Sequence, residues 1–168
     1  SDVYKRQIMG SVIRLNDAEH RATLLAMSNT GWRNLTEIVS RGFIEGQQLS
    51  VPCVQKEWVL EQAEDLIILL GQHSDVGKML CSSNPQKAEP LLEDWISKFG
   101  NRVYLSLTRT DRVGEEDFIV EAVKLAAKYQ IGVVAHNDIH FIEQDDFYAH
   151  EARVCIADGY VLGDDTVS

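Results

Sequence analysis

Apolar and polar positions along this chain follow two alternating periods. Residues 8–15 and 21–27 (RATLLAM) are short apolar runs of strand length. Between them and Gly46, Trp32, Leu35, Ile38, Val39 and Phe43 recur at helical spacing, with Ser28, Asn29 or Thr30 available as a cap and Gly46 as a stop. A second helix is predicted over about residues 55–63, carrying Trp58, Val59 and Leu60. It leads into DLIILLG (65–71), whose unbroken apolar run predicts a strand buried on both faces. Helices are then predicted over 76–81 and 87–99, a strand over 102–107, a helix over 115–130, a strand over 131–135 and a last helix over about 144–157.

Strands alternating with helices of ten to fifteen residues predict an α/β architecture with a parallel sheet. Opened flat or closed as a barrel, such a sheet carries its chemistry at the carboxyl ends of its strands. The pattern alone does not choose between the two forms. The stretch VAHNDIHFIEQDDFYAH (134–150) follows the strand IGVV directly and holds three of the five histidines. Asp138 and His140 stand two apart, so on an extended chain both face one side, and a carboxylate with an imidazole suits zinc, manganese or iron. Two ligands do not complete a site; a capping Asp and a surface His are the plainer reading of the pair, and His150 reads equally well as a solvated helix residue.

Composition narrows the classes. A chain of 168 residues, 45% apolar and 25% charged, suits one globular domain. No apolar run approaches the roughly 20 residues that span a bilayer, and no basic, apolar leader precedes the domain, so a cytoplasmic protein with no membrane partner is expected. Cys53, Cys81 and Cys155 are odd in number and far apart, which speaks against a disulfide framework or a Cys-x-x-Cys zinc site and for core or half-buried residues. The net charge of −10, with 26 acidic against 16 basic residues and no basic stripe, argues against a surface that grips duplex DNA by itself. No Gly-Lys-Thr phosphate loop, G-x-G-x-x-G turn or G-x-S-x-G elbow occurs, which disfavours a generic small-molecule enzyme.

Several other features read as structural. Trp32, Trp58 and Trp95 have apolar neighbours at helical spacing and are expected in the core. Asp75-Val76-Gly77 is expected to cap a helix, with Gly77 permitting a close approach. The acidic run 143–146 suits the start of the last helix. Arg109 and Arg112 follow RVYLSL and should open on the same rim as Asp138, as an ion pair or as phosphate ligands.

Four collinear blocks carry a resemblance: TLLAMSNTGWRNLTEIVSRGF, DLIILLGQHSDVGKML, VYLSLTRTDRVGEEDF and VVAHNDIHFIEQDDFYAHEARVCIADGYVL. Together they resemble the amino-terminal PHP (polymerase and histidinol phosphatase) domain family of bacterial DNA polymerase III alpha subunits, over residues 8–165. The resemblance implies a TIM-like (β/α)7 barrel with up to three metals at the strand ends. In some members that site works as a metal-dependent 3'-5' exonuclease; in others it is degenerate and the domain supports structure and docks the proofreading subunit. Asp138 and His140 match the family's terminal Asp-x-His ligands, with zinc or manganese the metals implied.

Departures from the family pattern point to a degenerate site. The family's first His-x-His motif has no counterpart from residue 8 onward, so the barrel is expected to lack its first strands and to expose open sheet edges. Val12 stands where an acidic ligand is usual. Arg21 stands where a histidine is usual, with His20 adjacent and thus a possible substitute, although a shift of one residue on a strand reverses its facing. A guanidinium at Arg21 can supply a metal's charge to a carboxylate or phosphate.

Residues 1–7, SDVYKRQ, join the next segment without a turn or cap and resemble a translated sequencing adapter; they are set aside as a non-native leader, and residues 8–168 are taken as a partial PHP domain. The expected function is that of a piece of a replicative, DNA-directed DNA polymerase that scaffolds or docks other polymerase subunits and meets DNA through its parent. Nucleotidyl transfer, with its magnesium, belongs to a later domain of that parent. An active metal-dependent phosphoesterase or 3'-5' exonuclease is the alternative.

Overall fold

A computed structural model describes residues 10–16, 19–48, 51–108, 115–136, 139–140 and 155–156. Strand β1 (Gly10–Leu15) turns back into β2 (His20–Ala26) through residues 16–19, and the two pair antiparallel with Leu15 opposite His20 and Arg14 opposite Arg21. Asn16 takes a φ of 53°, a left-handed conformation that asparagine tolerates in tight turns. Helix α1 (Asn29–Glu45) starts where predicted: Ser28 Oγ accepts from the Gly31 backbone N–H at 3.2 Å, and Gly46 ends the helix. The pair β3 (Gln47–Gln48) and β4 (Val51–Pro52) follows, then α2 (Lys56–Glu61), β5 (Leu66–Leu70) and α3 (Asp75–Leu80). A 3-10 turn (Pro85–Lys87) leads to α4 (Ala88–Phe99), and a second (Gly100–Arg102) leads to β6 (Val103–Thr108). Helix α5 (Glu115–Tyr129), β7 (Gly132–His136) and the short antiparallel pair β8 (Ile139–His140) and β9 (Cys155–Ile156) complete the described elements.

Five strands form one sheet in the order β1-β2-β5-β6-β7. Strands β5, β6 and β7 are parallel, as predicted; β2 runs against both of its neighbours. The expectation of a wholly parallel sheet fails there because four residues cannot make a crossover, which takes a dozen or more, and can make a hairpin. The closed (β/α)7 barrel that the resemblance implies is not formed by the described residues: their sheet is open, with β1 and β7 at its edges. The helix expected over 144–157 is corrected at its end, where Cys155 and Ile156 pair with His140 and Ile139. That pairing is a tertiary contact, which local periodicity does not contain; the remainder of that helix and the acidic run lie outside the described residues.

Alternation along the strands sorts the side chains onto two faces. Ile13, Leu15, Ala22, Leu24, Leu66, Ile68, Leu70, Val103 and Leu105 share one face and one core with residues of all five helices, among them Leu35, Ile38, Val59, Val76, Leu92, Phe118 and Leu125. Trp95 and Phe99 are fully buried in that core, their rings meeting edge to face at 6.0 Å, while Trp32 and Trp58 pack at its margin. The other face carries Leu25, Ile67, Leu69 and Val134, which are buried yet stand outside the helix-packed core. The described helices thus pack on one side of the sheet, whereas a doubly wound sheet has helices on both.

Candidate functional site at the carboxyl rim of the sheet

The ends of β1, β5, β6 and β7 define a rim, and because β2 is reversed its beginning, His20 and Arg21, reaches the same rim. Backbone bonds fix this edge. The Arg21 N–H donates to the His73 carbonyl at 2.8 Å, tying the start of β2 to the loop after β5. The Val54 N–H donates to the Arg14 carbonyl and the Asn16 N–H to the Val54 carbonyl, both at 2.8 Å, and Asn16 Oδ1 accepts from the Lys56 N–H at 2.9 Å. Ser74 closes the loop after β5: its Oγ donates to the Gly71 carbonyl at 2.7 Å and accepts from the Gly77 N–H at 2.9 Å. Ser74, and not Asp75, is therefore the cap of α3. Gly77 does permit the close approach expected of it, since a Cβ there would lie 1.9 Å from the Gly71 carbonyl oxygen.

Asp75 serves a different purpose. Lys56 Nζ lies 3.0 Å from Asp75 Oδ2 and 3.4 Å from Asp94 Oδ2, donates to the Leu91 carbonyl at 3.3 Å, and stands 4.8 Å from the centroid of the Trp95 ring. Trp95 Nε1 donates to Asp75 Oδ1 at 3.1 Å. This cluster lies on the helix-covered side and joins α2, α3 and α4 behind the rim. No local signal in the sequence marks Lys56 for burial.

On the opposite face the rim has another character. Arg14 and Arg21 are directly opposed and so share a face, the one that carries Thr23, Leu25 and Leu69 below them. His20 pairs with Leu15 and falls on the helix-covered face with Ala22. Gly71 follows β5 beside Ser106: a Cβ built on it would meet the Ser106 carbonyl oxygen at 3.6 Å and Ser106 Cβ at 3.9 Å. One layer of this face therefore reads Arg14, Arg21, Gly71, Ser106 across four strands. Of these only Arg21 is marked by the sequence reading; the turn Asn16-Asp17 between two apolar runs is the signal that places Arg14 opposite it.

Of the other predicted site residues, His140 pairs its backbone with Cys155. Asp138, Arg109, Arg112 and the side chain of His140 lie outside the described residues. Among the described residues no three His, Cys, Asp or Glu side chains gather as a metal could use them. Arg14 and Arg21 stand on one layer of the rim, and a guanidinium offers a metal no lone pair. The cysteines divide: Cys53 is buried, and Cys81 is exposed, against expectation, because it falls just past the end of α3.

A mixed five-stranded sheet, with the described helices on one side and a charged layer at its strand ends, defines an α/β domain. Residues 5–110 match the family model described as PHP domain, and the chain belongs to that family. It is 44% identical over 145 residues, 86% of its length, to the DNA polymerase III subunit alpha of Pseudomonas fluorescens. It is 40% identical over 163 residues, 95% of its length, to that of Xylella fastidiosa, and 38% identical over 151 residues, 89% of its length, to that of Escherichia coli. The matched regions make up 12%, 14% and 13% of those three relatives. No helix among the described residues is long and apolar enough to cross a membrane.

Proposed function

We propose that this chain serves in a bacterial DNA polymerase III alpha subunit as a PHP module that scaffolds the polymerase and docks its partner subunits, the proofreading subunit among them, around a degenerate metal site. The opposition of Arg14 and Arg21 carries this reading. A guanidinium offers a divalent cation no lone pair, so neither of these two residues can serve as a metal ligand. The identity of the relatives supports the parentage, and DNA synthesis in the cytoplasm, with its magnesium, is assigned to the other parts of such a parent.

The covering of one face only also supports completion of the sheet into a barrel in the whole protein. The buried residues Leu25, Ile67, Leu69 and Val134 then form the lower part of its interior, with Asp138 and His140 as what remains of a zinc or manganese site. The test is made on the complete alpha subunit. Metal analysis after exhaustive dialysis is expected to find no bound zinc or manganese at the PHP rim, and manganese is expected to release no nucleotides from a 3' end. Stoichiometric metal and nucleotide release, both lost in Asp138→Ala, would establish the active exonuclease instead.

A further inference from the structure

We propose that the buried Lys56–Asp75 pair is a latch. It makes the β1–β2 turn, residues 54–56 and the loop from β5 into α3 one cooperative unit that opens and closes as a whole. These three segments form a closed ring at the rim, each bonded to the other two. The turn meets residues 54–56 through the Val54 N–H to the Arg14 carbonyl and the Asn16 N–H to the Val54 carbonyl, both at 2.8 Å. It meets the loop through the Arg21 N–H, which donates to the His73 carbonyl at 2.8 Å. The third side of the ring is the 3.0 Å contact between Lys56 Nζ and Asp75 Oδ2.

Lys56 belongs to two sides of the ring at once. Its backbone N–H donates to Asn16 Oδ1 at 2.9 Å while its ammonium reaches Asp75, so a displacement at one end is carried to the other. Nor can the loop absorb such a displacement. Ser74 Oγ bonds both the Gly71 carbonyl and the Gly77 N–H, and a Cβ on Gly77 would lie 1.9 Å from the Gly71 carbonyl oxygen. The His73 carbonyl and the Asp75 carboxylate therefore move as one body. Asp75 is tied in turn to the helical layer by the Trp95 Nε1 donor at 3.1 Å. The paired side chains are 10% and 18% exposed, so solvent screens them little. A second link between α3 and the turn, Lys78 to Glu19 at 3.8 Å, has a carboxylate 82% exposed and does not replace the latch. Strands β5, β6 and β7 keep their own ladders whether or not the ring is closed, which is the condition for a local unit to open below global unfolding.

The latch is independent of what the rim binds, so its failure leaves the scaffold reading standing. Its test is amide hydrogen exchange on the complete alpha subunit, resolved at Asn16, Val54 and Arg21 and, for comparison, at Ile68 and Leu105 in the central strands. Lys56→Met removes the ammonium and keeps the apolar stem and the backbone N–H. The three rim amides are expected to accelerate together, by about tenfold or more beyond any acceleration at Ile68 and Leu105. Leu125→Ala, a truncation in the core under α5, loosens the domain without touching the ring and is expected to give no such excess. Should Lys56→Met fail to fold, Asp75→Asn decides: it drops the charge, keeps an acceptor for Trp95, and should give the same excess. Acceleration confined to α3 and α4, unequal responses at Asn16, Val54 and Arg21, or the same excess in Leu125→Ala would each overturn the latch.

Discussion

Lys56 and Asp75, nineteen residues apart, form a 3.0 Å ion pair whose side chains are only 10% and 18% exposed. Breaking a buried pair strands a charge, at a cost of about 3–5 kcal/mol. Asp75→Ala should therefore destabilise strongly, and more than the Asp94→Ala change, because Asp94 is 61% exposed and its pairing is screened. Urea unfolding of the two variants checks this ranking. Replacing both Lys56 and Asp75 by apolar residues should recover part of the loss, which a double-mutant cycle measures.

Gly77→Ala and Gly71→Ala should differ sharply although the two glycines are six residues apart. The first forces a Cβ to within 1.9 Å of the Gly71 carbonyl oxygen and 2.8 Å of the Gln72 backbone; the second meets nothing closer than 3.6 Å. Overpacking of the first kind costs on the order of 1–3 kcal/mol. Thermal melting should show a clear drop for Gly77→Ala and a change near zero for Gly71→Ala.

The contact between α4 and α5 sets a pH dependence. Glu89 is held below the usual carboxylate range, first by the hydrogen bond from Lys128 at 2.7 Å. Tyr129 donates to Glu93 Oε2 at 2.5 Å, and that acceptor, with burial and the two carboxylates, pushes its phenol well above its ordinary value. For Glu89 the stabilisation is present above the unfolded pKa and is lost as pH falls through the lower folded value. For Tyr129 the sign is opposite: the stabilisation is complete below the unfolded phenol pKa of about 10 and is lost as pH rises through the higher folded value. Tyr129→Phe should flatten the alkaline limb of a stability profile and change the acid limb much less, because Lys128 is the first cause of the lowered Glu89 value and the Tyr129 hydroxyl the last.

Ser74 caps α3 with both its donor and its acceptor engaged, and it is fully buried. Ser74→Ala should cost about 1–2 kcal/mol, the upper range for a lost cap, because no water can replace the hydroxyl there. Ser74→Thr keeps the oxygen and should lose less, provided its methyl is accommodated. Denaturant midpoints of the two variants separate these contributions.

The helices and central strands were legible because each obeys a local rule. Ser28 and Gly46 bracket α1, and LIILL reads as a strand buried on both faces, which it is. What local pattern did not carry was direction and pairing. The reversal at Asn16 is written only in a short turn, yet it decides that His20 and Arg21 stand at the rim and that Arg21, not His20, shares a face with Arg14. Ser106 and Gly71 have no distinguishing neighbours in sequence; they matter only because parallel register brings β5 and β6 side by side. The Asp75 carboxylate looked like a cap because caps are local, whereas its partners Lys56 and Trp95 lie 19 and 20 residues away.

The bonds that hold the rim together, from Arg21 to His73, from Asn16 to Val54 and from Val54 to Arg14, all run from backbone to backbone. The side chains of Arg14, Arg21 and Val54 take no part in those three bonds. A ligand can be exchanged for a guanidinium, or a guanidinium for a ligand, while the loops stay where they are. The same frame can pass from one chemistry to another, or to none, by single substitutions that leave its folding untouched.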